Sequence, residues 1–84
     1  MNNDLALVKE AMDVYRPFPV SKKNVGQVVA TVFFSDSLNL SELINRIVII
    51  YGGSRLNAVS KIAQSLLACK VTINDLGNVE VYRG

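Results

Sequence analysis

The stretch Ile47-Val48-Ile49-Ile50-Tyr51-Gly52-Gly53-Ser54 decides how the whole chain is read. It opens on five apolar residues, four of them β-branched, and closes on two glycines. A continuous β-branched run bounded by turn residues has the pattern of a strand covered on both faces or by a layer of helices. If Ile47 to Tyr51 is a strand, Gly52-Gly53 is a strand-to-helix loop and Ser54 caps the helix beyond it. In that helix Leu56, Val59, Ile62, Ala63, Leu66 and Leu67 recur at helical spacing up to about Cys69. After it Val71 and Ile73 alternate with Thr72 and Asn74, and Val79 and Val81 alternate with Glu80 and Tyr82. Asp75-Leu76-Gly77-Asn78 supplies turn residues between the two runs, so the chain closes in a β-hairpin.

Working back from the same stretch, residues 36–45 mix Ser, Asn and Leu and read as a connection with at most one helical turn at 41–44. Residues 24–35 are rich in Val and Phe, yet Val25, Val28, Val29, Val32 and Phe33 share one face of a 3.6-residue period while strict alternation fails. That spacing predicts a helix, with Ser21-Lys22-Lys23-Asn24 as the polar, cationic loop leading into it. Pro17-Phe18-Pro19-Val20 is extended by default, and its two prolines confine it to a sheet edge. Asn2, Asn3 and Asp4 offer caps for a leading helix striped by Leu5, Val8 and Met12, with Leu7 and Ala11 beside them. Pro17 ends that helix before Arg16, because the residue preceding a proline is held away from helical geometry.

The order is then a leading helix followed by β-α-β-α-β-β. This predicts an α/β two-layer sandwich with a mixed four-stranded sheet, residues 17–84 forming the domain and residues 1–16 an N-terminal helical extension.

Composition narrows the chemistry. The chain has 84 residues, half of them hydrophobic, nine Lys and Arg against seven Asp and Glu, one cysteine and no histidine. One small domain is all that this length supports. Cys69 alone cannot build a disulfide framework, and without histidine it cannot join a Cys/His zinc site or a Cys-His catalytic pair. Its simplest reading is a small buried hydrophobe at the end of its helix. The carboxylates are scattered and no serine has an evident base, so the expectation is no enzyme, no metal, no cofactor and no small-molecule substrate. The five-residue apolar run is far below the roughly 20 residues that span a bilayer. The first ten residues carry Asp4, Lys9 and Glu10 where a signal peptide needs an apolar core. These features point to a cytoplasmic protein without a membrane partner, nucleoid-associated if it binds DNA. A net charge of +2 permits a polyanionic partner without demanding one.

Two short stretches could meet such a partner. Gly52-Gly53-Ser54-Arg55 leads into a helix N-terminus, where free N–H groups and the helix dipole favour an anion and glycines let a phosphate approach; equally, the glycines could serve only to turn the chain. Lys22-Lys23 taken alone is ordinary solvated surface. In the β-α-β-α layout, however, the loops after the first two strands open at one end of the sheet, which would bring Lys22, Lys23 and Arg55 together, helped by Arg83, as a grip on a phosphate backbone.

At this point the chain resembles the Alba superfamily of small chromatin and RNA-binding proteins, which includes the stage V sporulation protein S group. The likeness rests on Val20-Ser21-Lys22-Lys23 with the apolar helix 24–35, on Ile47-Val48-Ile49 through Gly52-Gly53 into Leu56-Asn57-Ala58-Val59, and on the closing hairpin of residues 70–83. The resemblance implies a homodimer that lays its loops along double-stranded DNA or RNA with little sequence preference, Lys22 and Lys23 touching the backbone. The competing expectation is a protein-interaction or regulatory adaptor that keeps the fold without binding nucleic acid.

Overall fold

The computed structural model describes residues 3–84, so the cap expected at Asn2 lies outside the described residues. Four α-helices, α1 (Asp4–Tyr15), α2 (Lys22–Phe33), α3 (Leu40–Tyr51) and α4 (Arg55–Leu67), surround a small sheet of β1 (Leu38–Asn39), β2 (Val71–Ile73) and β3 (Asn78–Val81). The sheet is antiparallel throughout, in the order β1-β3-β2, with Leu38 opposite Val79 and Val71 opposite Val81. The expected four-stranded mixed α/β sandwich is therefore not what this sequence forms.

The correction turns on residues 36–51. Ile47 to Tyr51 is the last part of a helix and not a strand. Leu40, Leu43, Ile44 and Ile47 are its buried face, a spacing of three, one and three that only a helix brings to one side. Its start is an N-cap at Asn39, braced by a side-chain bond to Glu42. The Asn39 side chain accepts from Glu42 N–H at 2.8 Å, and Asn39 Nδ2 donates to Glu42 Oε1 at 2.9 Å. Its end is Gly52, in the left-handed region at φ 77°, followed by Gly53 at φ 85°. Ile49 and Ile50 consequently face solvent, which a buried strand would not allow.

Pro17 to Val20 likewise forms no strand. Lys22 and Lys23, expected in a loop, are the first turn of α2, capped by Ser21 Oγ, which accepts from Asn24 N–H at 3.2 Å. The leading helix, the helix over residues 24–35, the second amphipathic helix and the hairpin stand where their periodicities place them. Asn74 holds the hairpin turn, its side-chain oxygen accepting from the N–H groups of Leu76 and Asn78.

The hydrophobic core draws on every helix and on the sheet. Val8, Val28, Leu43, Ile44, Ile47, Ile62 and Val71 are shut off from solvent, and α1 shares this core through Val8. At its centre is α4, packed against α1, α2, α3 and β2. So enclosed, α4 carries polar residues that must find partners inside. Lys61 Nζ donates to Gln27 Oε1 at 2.6 Å and lies 5.2 Å from the centre of the Tyr51 ring. Gln64 Oε1 accepts from Ser21 N–H at 2.9 Å, and Ser65 Oγ donates to Lys61 O at 2.9 Å. Among the described residues no buried side-chain nitrogen or oxygen lacks a hydrogen-bond partner.

Candidate nucleic-acid interface

Helix α3, the three-residue turn Gly52-Gly53-Ser54 and helix α4 make a helix-turn-helix, and the β2–β3 hairpin follows at once. The turn is built for geometry. Both glycines take positive φ, and a Cβ on Gly53 would meet the Asn57 side chain at 3.1 Å. Ser54 caps α4, its Oγ accepting from Asn57 N–H at 3.1 Å. The loop thus joins two helices, and its glycines are explained by the chain reversal.

Arg55 opens α4 and ties three helices together. Its Nη1 donates to Asn45 Oδ1 of α3 at 2.7 Å and its Nη2 to Asp4 Oδ1 of α1 at 3.0 Å. The Asp4 side chain is 11% exposed and that of Arg55 49%, so about half of the Arg55 side chain still meets solvent.

The expected grip does not assemble. Gln64 contacts Ser21 and Lys61 contacts Gln27, so α2 and α4 run in opposite directions. Lys22 and Lys23 therefore sit by the C-terminal end of α4. Arg55 lies nine residues upstream of Gln64, about 13 Å along the axis at 1.5 Å per residue. Arg83 is elsewhere again, lining a groove with Phe33, Asp36 and Glu80 at the far end of α2 from the lysines. Convergence required two strand-to-helix loops at one edge of a sheet, and neither loop exists.

The first turn of α4 presents a set that the sequence did not single out. Leu56 is 66% exposed, Asn57 is exposed beside Arg55, and Ser60 is half-buried one turn on. Helical spacing alone puts Leu56 on the buried stripe, but it lies at the edge of that stripe and beyond the reach of the core. The available signal was Ser54-Arg55-Leu56-Asn57 itself: a capped first turn that carries one cation, one amide and one aliphatic side chain.

Among the described residues no group of three or more His, Cys, Asp or Glu is placed to hold a metal ion, and no helix is long and apolar enough to cross a membrane. Cys69, expected to be a small buried hydrophobe, is exposed. Compared with known proteins, the chain matches no family model, no curated protein and no solved structure.

Proposed function

We propose that the chain binds double-stranded nucleic acid, DNA in preference to RNA, by setting the first turn of α4 into the major groove. The observation that carries this is the exposed group Arg55, Leu56 and Asn57 at the start of the second helix of a helix-turn-helix. Docking by this motif puts the N-terminal residues of the second helix against base edges while the first helix crosses the backbone. Asn57 and Leu56 suit base edges, since Asn pairs with adenine and an aliphatic group with the thymine methyl, while Arg55, held by Asn45 and Asp4, supplies a half-exposed positive charge to the phosphate backbone. B-form DNA admits a helix, whereas the major groove of A-form RNA is too deep and narrow for one. A single exposed turn gives few base contacts, so sequence preference is weak. The docking mode is an analogy to the motif, and the exposed side chains are its physical support.

Fluorescence anisotropy with unrelated DNA duplexes, double-stranded RNA and single strands, at about 50 and 200 mM salt, tests it. The expected result is tightest binding to duplex DNA, with Asn57→Ala weakening the best-bound duplex by about 5- to 150-fold, the equivalent of about 1 to 3 kcal/mol for one amide–adenine contact, and the other duplexes less. Joint replacement of Lys22 and Lys23 by Ala should weaken binding less, since both lie away from the turn. If the lysine pair controls affinity and Asn57 does not, the interface is at the other end of α4. Absence of duplex binding at low salt would leave the protein-interaction adaptor, which a different observation favours: the bare aromatic and aliphatic side chains where α2 and α3 end.

A further inference from the structure

The sheet is open along part of β3. Asn74 N–H donates to Asn78 O and Tyr82 N–H to Lys70 O, both at 2.9 Å, so Asn78, Glu80 and Tyr82 turn their main-chain groups toward β2. Val79, Val81 and Arg83 therefore turn theirs the other way, toward β1. Leu38 stands opposite Val79, and Leu40 N–H donates to Gly77 O at 3.1 Å, so β1 serves that side only as far as Val79. Past Leu38 the chain turns off, and among the described residues no group takes up the outward main-chain donors and acceptors of Val81 and Arg83. A groove of ≈ 760 Å³ takes the place of the missing strand, lined by residues 35–37 and 79–84 and by the end of α2. That volume is within the roughly 300 to 1,000 Å³ of ligand-binding clefts.

We infer that this groove takes an extended segment of a partner protein as a further strand on β3, in line with β1, with a basic residue meeting Asp36 and Glu80 and an apolar one meeting Phe33. Unpaired main-chain groups on a strand edge are a template for another extended backbone, which supplies the complementary donors and acceptors at every second residue. From Val81 to Arg83 the open edge runs for about 10 Å at about 3.4 Å per residue, enough for a short segment. Side chains alternate along such a segment, and the two faces of the groove differ accordingly. The residue opposite Val81 points, like Val81, to the face of α2, where Phe33 is 65% exposed. Its two neighbours point the other way, beside Glu80 and the half-exposed ring of Tyr82. Charge selects the occupant. Two carboxylates, Asp36 and Glu80, line the groove against one cation, Arg83. Among the described residues the ion pairs are Arg16–Asp13 and Arg55–Asp4, so neither carboxylate is neutralised within the chain. Glu80 Oε1 only accepts from the neutral Asn74 side chain, at 3.0 Å. A phosphate backbone is repelled here, whereas Lys or Arg opposite Glu80 makes a favourable cross-strand pair and beside Tyr82 a cation–π contact. The site goes beyond the nucleic-acid proposal, lies on other residues, and stands or falls without it.

Amide hydrogen exchange on the full chain, followed by NMR with the end-blocked peptide Thr-Lys-Ile-Lys-Thr, tests the inference. With free peptide at about ten times its dissociation constant, exchange at the Val81 and Arg83 amides should slow about tenfold, because only the unbound fraction leaves them open. The Asn57 amide, in the turn proposed for nucleic acid, should not respond. A peptide N-methylated at its central residue loses the donor that faces Val81 O and should bind at least about tenfold more weakly, with the protein itself untouched. Asp36→Lys should weaken the unmodified peptide about three- to tenfold while keeping the wild-type circular dichroism, since Asp36 is exposed. Val81 and Arg83 amides that do not respond to peptide up to about 1 mM overturn the proposal. So does equal binding of the N-methylated peptide, or an Asp36→Lys chain that binds as tightly as wild type. Protection of the two amides by a DNA duplex, or by concentrating the protein alone, overturns it too and gives the edge to nucleic acid or to a second copy.

Discussion

Cys69 holds a backbone conformation that side chains resist. Its φ is 55°, and it is the only non-glycine residue with positive φ among those described. The reason is the way α4 ends. Cys69 N–H donates to Leu66 O and Lys70 N–H to Ser65 O, both at 3.0 Å, the paired bonds of a Schellman cap whose left-handed position normally holds glycine. A left-handed residue with a Cβ costs roughly 1 to 2 kcal/mol, part of which a glycine would return as extra disorder in the unfolded chain. Since the side chain is exposed, no packing is lost on removing it. Cys69→Gly should therefore raise stability by about 0.5 to 1 kcal/mol, to be read as a higher urea midpoint with an unchanged slope.

Helix α3 shows which elements can be read from sequence and which cannot. Residues 24–35 disclose their helix because their apolar positions keep a 3.6-residue period over three turns, and the hairpin discloses itself by alternation around turn residues. Ile47 to Tyr51 does neither. Five consecutive apolar residues have no period of their own, and β-branched side chains then tip the reading toward a strand. The period emerges only when the window reaches back to Leu40, and the start signal is Asn39 with Glu42 three residues on. The candidate site failed for the same reason. Lys22, Lys23 and Arg55 converge only on a sheet that α3 replaces, while the exposure of Leu56 and Asn57 depends on which neighbours enclose α4, something no local pattern states. If the Asn39 cap matters as much as its geometry implies, Asn39→Ala should lower stability by about 1 kcal/mol, with a matching drop in melting temperature by calorimetry. A loss under about 0.3 kcal/mol, well below the usual range for a lost cap, would mean that the helix start is held by Leu40 packing alone.

At the scale of the molecule, stability is concentrated on one helix. Ile62 has no solvent exposure and sits midway along α4, the helix against which α1, α2 and α3 all pack. Replacing it with Ala removes packing at the centre of the core, and Ile62→Ala should cost about 3 to 4 kcal/mol, a large share of the roughly 5 to 15 kcal/mol that holds a domain together. Denaturant unfolding checks this. A drop below about 2 kcal/mol, the lower end for such truncations, would mean that the surrounding helices collapse into the cavity.

The same centrality sets an order of events during synthesis. The partners of Asp4, Ser21 and Gln27 are Arg55, Gln64 and Lys61, separated from them by 51, 43 and 34 positions. On the ribosome, α1 and α2 lack the full set of these groups until Gln64 has been joined. At roughly 5 to 20 residues per second, the 34 residues from the end of α2 at Phe33 to the end of α4 at Leu67 take about 2 to 7 s. Over that interval the nascent chain carries two amphipathic helices and no finished α4 to lay them on, and native assembly waits for the helix that all the others share.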